Sequence, residues 1–168
     1  MAERKSIADL QLHEDLAHER REWKLQRIGW VLWALLLLAA LLGLLGHGPL
    51  SDNTARDAAG LASVRHQRFE RYEAPSHYDI EAAPAAAAGD VLTLRLERPV
   101  LERLELERFE PEPLHVRADG DALLFAFARS PQRTTRVRVF FRPQRFGTLR
   151  ARIGVGAARV QFNQFVYP

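Results

Sequence analysis

Two patterns of apolar and polar residues divide this chain. From Ile28 to Gly46 the run IGWVLWALLLLAALLGLLG holds sixteen apolar residues and three glycines with no charge. At 1.5 Å per residue it makes roughly 28 Å of helix, close to the hydrocarbon thickness of a bilayer. One transmembrane helix is therefore predicted over 28–48. Gly48 and Pro49 stop it, since proline lacks the backbone donor and restricts its predecessor. Trp23, Trp30 and Trp33 lie toward the N-terminal end, where indole rings favour the headgroup level.

Further along, apolar residues recur every second position, the period of strands. Tyr78, Ile80 and Ala82 share one face of 77–82, and Leu92, Leu94 and Leu96 one face of 91–96. Leu104 and Leu106 alternate with glutamates. Segments 114–118 and 122–128 flank Asp119 and Gly120, a pair suited to a type I′ hairpin turn. Strands are also predicted over 136–141, 149–155 and 160–166, and less clearly over 63–71. Inward positions are Val137, Val139 and Phe141 in the first of these, and Ala151, Ile153 and Val155 in the second.

Seven or eight short strands in about 105 residues, separated by turns such as FEPEP, SPQR and RPQRFG, point to an all-β domain. The expected architecture is an antiparallel β-sandwich of immunoglobulin-like size, with a small barrel as the alternative. The alanine run at 82–88 reads as a loop. The organisation that follows is a helical N-terminal segment over 1–27, the span over 28–48, a polar linker PLSDNTARDAAG over 49–60, and the β-domain over 61–168. In the N-terminal segment helix is expected from about Ser6, with Ser6 and Asp9 spaced as in a capping box.

A cleaved signal peptide is the competing interpretation of the apolar run. The 27-residue flank carries six acidic residues, the run exceeds the usual core of about 7 to 15 residues, and LLGHGPLS is a poor cleavage site. An uncleaved anchor is expected instead. Arg20, Arg21, Lys24 and Arg27 crowd the N-terminal side, which places that side in the cytoplasm and residues from about His47 onward outside. The chain has 22 arginines and two lysines, a bias that a GC-rich bacterial genome would produce. The outer side is then the periplasm and the membrane the inner membrane.

The 168 residues include no cysteine, which excludes a disulfide framework, thiolate metal sites and thiol nucleophiles. Other catalytic patterns also fail. His13 and Glu14 suggest a metalloprotease, but His18 is five positions on, and the zincin helix needs i and i+4. His77 and Asp79 share a strand face and could form half a metal site, with His66, His115, Asp90, Asp119 and Asp121 as further ligands. They point away from the core face, however, and a solvated role is expected. Ser76 has no nucleophile elbow, and GVGAA lacks the lysine of a phosphate loop. No cofactor and no enzymatic activity are predicted. A metal-dependent hydrolase built on His77, Asp79 and His115 remains the weaker alternative.

The net charge of +3 conceals an asymmetry. Residues 61–128 sum to −5 and residues 129–168 to +9, with no acid after Asp121. If 136–141 and 149–155 pair as a hairpin, Arg136 and Arg138 face Arg150 and Arg152, with Arg142 and Arg145 in the turn. Such like charges need a neutralising partner. Three are open: the domain's own Glu97, Glu102, Glu105, Glu107, Glu110 and Glu112; an acidic protein surface; or anionic headgroups near the tether. Nucleic acid is disfavoured by the compartment despite a pI near 9.8. The final VQFNQFVYP is apolar on both faces, with Phe162 and Val166 opposite Phe165 and Tyr167, so it is either internally packed or open to another chain.

With QRIGWVLWALLLLAALLGLLGHGPLS, RFERYEAP and the terminal FVYP, the chain resembles a group of small bacterial single-span proteins associated with YetF-type multi-span membrane proteins. The resemblance covers the span and the two ends of the outer domain. It implies a companion subunit and carries no binding residues. The expected function is that of a non-enzymatic inner-membrane protein presenting its periplasmic domain to a membrane or periplasmic protein partner.

Overall fold

The computed structural model describes residues 16–42, 48, 50–87, 89–129 and 131–168. The Ser6/Asp9 capping box, the His13–Glu14 pair, the last part of the predicted span (43–47) and Pro49 lie outside them. So do the side chains of His18, Arg20 and Arg21. The chain forms two units, one ending at Leu38 and one running from Ala39 to Pro168.

Helix α1 covers Leu16–Leu41. Leucine, alanine, arginine and glutamate favour helix, and no proline interrupts the stretch. Within it Trp23–Leu41 is long and apolar enough to cross a membrane once. Trp30, Leu32, Leu35 and Leu37 are all more than half exposed. The length and apolar composition of this stretch are those of a membrane-crossing helix. The backbone N–H of Leu50 donates to the Leu42 carbonyl at 3.1 Å.

Among the described residues eleven strands follow: β1 (Asp52–Arg56), β2 (Ala62–Gln67), β3 (Phe69–Arg71), β4 (Ser76–Ala82), β5 (Val91–Glu97), β6 (Leu104–Glu110), β7 (His115–Asp119), β8 (Ala122–Ala128), β9 (Thr135–Pro143), β10 (Gly147–Val155) and β11 (Ala158–Tyr167). A five-stranded sheet runs β1-β2-β4-β9-β6 and a six-stranded sheet β3-β11-β10-β5-β8-β7. All pairs are antiparallel except β3 with β11. This is the expected β-sandwich. Its core is made by the period-two positions: Tyr78 and Ile80, Val137, Val139 and Phe141 from one sheet meet Leu92, Leu94 and Leu96, Ala151, Ile153 and Val155 from the other.

Several local expectations change. The stretch 49–60 contains β1, which pairs with β2 from Asp52↔Gln67 to Arg56↔Ser63. Its alternation was hidden because an edge strand needs only Asn53 and Ala55 half-buried. The region 63–71 is two strands in different sheets, broken at Arg68. The hairpin between β7 and β8 pairs Asp119 with Ala122, so its loop is Gly120–Asp121 rather than Asp119–Gly120. Only Gly120 has positive φ there, the pattern of a type II′ turn. The alanine run includes a 3-10 turn at Pro84–Ala86 with Ala86 buried. A four-residue helix, α2 (Arg98–Leu101), begins with proline near its start and joins β5 to β6.

The expected arginine hairpin does not form. Strands β9 and β10 do not pair; they lie in opposite sheets. Both present large apolar side chains inward, and the short connection 144–146 lets those faces cover one another across the core. Their arginines therefore point outward on opposite sides of the domain.

Candidate interaction surfaces

On the outer face of the five-stranded sheet, columns of opposite charge lie side by side. Strand β4 offers Asp79 and Glu81, and β9 answers in register with Arg138 and Arg136. Arg138 Nε donates to Asp79 at 2.5 Å and Arg136 lies 2.9 Å from Glu81. Beyond β9, β6 has an irregularity between Leu106 and Arg108. The extra residue, Glu107, thereby joins the outer face and pairs with Arg142. Arg65 pairs with Asp52 at 3.3 Å, and Arg108 stacks 3.9 Å from the Phe140 ring centroid. Hydrogen bonding to Asp79 and to Glu107 raises the pKa of Arg138 and Arg142 respectively. Exposed pairs of this kind contribute little individually, but they leave the face charge-balanced. A groove here is lined by Arg56, Arg65, Asp79, Glu81, Arg136 and Arg138.

The opposite face is different. The six-stranded sheet presents Arg71, Arg95, Arg117, Arg150, Arg152 and Arg159 outward, with Glu97 and Asp119 as the acids among them. Arg95 pairs with Asp119, and Arg152 reaches Glu97 at 3.8 Å. Among the described residues no carboxylate lies within ion-pair distance of Arg71, Arg117, Arg150 or Arg159. The basic excess is thus concentrated on one sheet face. Of the six arginines singled out from the sequence, Arg136, Arg138 and Arg142 are neutralised on one face. Arg150 and Arg152 lie on the other, and Arg145 is exposed in the β9–β10 connection. Two of the acids expected to neutralise them do so, Glu107 and Glu97; Asp79 and Glu81 were missed because the register of β4 against β9 is a tertiary fact.

His77 and Asp79 do share a face, with Nε2 3.7 Å from Oδ2. Asp79 is already engaged by Arg138, and His115 stands on β7 in the other sheet. Among the described residues no three His, Asp or Glu groups gather as a metal site requires. On α1 the Arg27 guanidinium lies 5.3 Å from the Trp23 ring centroid, whereas Trp23, Trp30 and Trp33 are each exposed.

A buried polar cluster was not anticipated. Glu70, on β3, is 2% exposed. Its Oε1 accepts from Ser76 Oγ at 2.5 Å and from Gln164 Nε2 at 2.9 Å. Gln164 Oε1 accepts from the Tyr78 phenol at 2.6 Å. Burial pushes the Glu70 carboxyl up to about 7, against the two hydrogen bonds that favour its ionised form. Burial, reinforced by Glu70, raises the Tyr78 phenol well above its ordinary value. Nearby His66 stacks on Phe162 at 3.9 Å. Burial lowers its pKa, its Nδ1 contact with Val64 opposes this, and the Arg68 charge adds to it. Its Nε2 has no hydrogen-bond partner among the described residues. Ser76 and Gln164 occupy inward positions of otherwise apolar alternations, and that break in pattern was the available sequence signal. Glu70 had none, because β3 is only three residues long.

No family model and no curated protein matches the chain.

Proposed function

We propose that this protein is a bitopic inner-membrane protein whose periplasmic β-sandwich acts as a non-enzymatic interaction or accessory subunit of a membrane-protein complex. The N-terminus is cytoplasmic, by the basic residues Arg20, Arg21, Lys24 and Arg27 that precede the span. The observation that carries the proposal is the unequal charge of the two sheet faces. One is neutralised by its own ion pairs, whereas the other leaves Arg71, Arg117, Arg150 and Arg159 without a carboxylate partner among the described residues. A cationic sheet face complements an acidic protein surface, and charge complementarity sets specificity and encounter rate more than bulk affinity. The companion of a YetF-type multi-span protein is the partner class that the sequence resemblance favours.

Extraction in mild detergent, followed by identification of the copurifying protein, tests this. The triple substitution R117E/R150E/R159E should abolish retention, and raising salt should weaken it for the wild type. Replacing Arg136 and Arg138 by glutamine should leave retention nearly unchanged, since those side chains serve the domain itself. A protein that stays monomeric and partner-free across several detergents would overturn the proposal. Equal retention by the R117E/R150E/R159E variant would overturn its assignment to this face.

A further inference from the structure

One end of the β-domain brings several strand ends together. Here β1 begins, β2, β9 and β11 end, and β10 begins. Hydrogen bonds tie these ends together: Arg68 N–H to the Ser51 carbonyl at 2.7 Å, Phe165 N–H to the Arg68 carbonyl at 2.7 Å, and Tyr72 N–H to the Tyr167 carbonyl at 2.8 Å. Glu73 N–H reaches the Pro143 carbonyl at 2.9 Å, and Gln144 N–H the Arg103 carbonyl at 2.7 Å.

Leu50 at 47% exposure and Phe146 at 54% are large apolar side chains exposed at this end. The Tyr72 ring packs on Phe146 with centroids 4.5 Å apart, which gives the β9–β10 connection an aromatic knuckle. Around it stand Arg68, Arg103 and Arg145, and the Arg103 guanidinium holds the Phe146 carbonyl at 3.3 Å. The acids of the same end are partly committed: Glu102 pairs with Arg98, and Glu105 accepts from Gln144. Glu73 interacts with the Tyr72 phenol and raises its pKa.

We infer that this end is a lipid-facing rim that docks on an anionic headgroup layer, with Phe146 and Leu50 entering the interface and Arg68, Arg103 and Arg145 binding phosphates. Three arguments select a bilayer as the occupant. Leu50 follows closely in sequence on the apolar stretch that ends at Leu41, and its N–H donates to the Leu42 carbonyl, so the chain tethers this end close to any bilayer that stretch enters. A tyrosine ring such as that of Tyr72 favours the headgroup level, and arginines are attracted to anionic headgroups. Each basic side chain near an anionic surface gains about 1 kcal/mol, equivalent to roughly a fivefold change in the bound-to-free ratio. The rim lies at an end of the sandwich and is distinct from the cationic sheet face assigned to a protein partner. The inference rests on the single membrane span and not on the identity of that partner.

The test exploits the absence of cysteine. In the full chain reconstituted into bilayers, single nitroxide labels are placed at Leu37→Cys in the span, Phe146→Cys on the rim, and Ala157→Cys in the β10–β11 turn at the opposite end. Accessibility to oxygen and to a water-soluble nickel chelate reports depth. The probes are vesicles of phosphatidylcholine alone and of phosphatidylcholine with 30% phosphatidylglycerol. The label at 37 should report hydrocarbon in both and the label at 157 water in both. The label at 146 should report the interface in the anionic bilayer. R68E/R145E should cut that interfacial population by more than tenfold, and R68Q/R145Q by less, with the β-sheet circular dichroism unchanged. A label at 146 that stays in water, or interfacial contact unaffected by lipid charge and by R68E/R145E, would overturn the inference. A label at 37 that reports water would instead overturn the span on which it rests.

Discussion

Glu70 provides the sharpest test of the folded interior. Its carboxyl is buried and titrates at about 7 instead of its ordinary 4.5, so the native state holds a proton that the unfolded chain has already released. For an acid shifted upward, stability is fullest below the unfolded value and is lost as pH rises. The window here runs from 4.5 to about 7. At about 1.4 kcal/mol per pH unit this interval corresponds to roughly 3 kcal/mol, a large part of the stability of a domain this size. Other carboxylates act in the opposite direction; Glu102, lowered by its hydrogen bond to Arg98, loses its contribution on acidification. The Glu70 effect must therefore be isolated by difference.

Glu70→Gln does this. The amide oxygen can still accept from Ser76 and Gln164, so near pH 4.5 the two proteins should be of similar stability. By pH 8 the variant should be more stable by about 3 kcal/mol, since it carries no charge to bury. Urea unfolding of the full chain in detergent, followed through the β-sheet circular dichroism, measures this. With a slope of about 1.5 kcal/mol per molar, the midpoint of the variant should exceed that of the wild type by about 2 M at pH 8. Midpoints that remain parallel from pH 4.5 to 8 would refute the reasoning, because the carboxyl would then titrate alike in both states.

Three further outcomes follow from the structure. Tyr78→Phe removes the donor to Gln164 Oε1 and leaves a buried acceptor unpaired, which should cost about 1–3 kcal/mol in urea unfolding at constant pH. Gly156→Ala should destabilise by about 2–5 kcal/mol: φ is +58° there, and an added Cβ would overlap the Ala86 carbonyl. A thermal melt of the Gly156 variant would check this, and a change below 1 °C would contradict it. Phe127→Ala empties a fully buried site between β5 and the aromatic ring of Phe109, with an expected loss of about 3–5 kcal/mol read from the urea midpoint.

Much of the architecture was legible along the chain because it depends on local periodicity. The uncharged run from Ile28 read as an apolar helix, and the period-two positions named most of the inward residues of β4, β5, β9 and β10, though not Val64, Phe125 or Phe127. Short edge strands were harder. β1 and β3 bury too little of their own surface for alternation to reveal them, so a strand lay inside the apparent linker and Glu70 went unnoticed.

The surfaces were not legible, because they depend on which strand lies beside which. Composition alone predicted excess arginine near the C-terminus and a need for neutralising acid. Register decided that Asp79 and Glu81 supply it to Arg138 and Arg136. The crossing of 144–146 between sheets decided that Arg150 and Arg152 face the other way. An alternating segment specifies which side chains turn inward, since burial is a property of each strand. Its neighbours in the sheet are chosen only when all the strands compete to cover one core, and the electrostatic character of each face is a consequence of that choice.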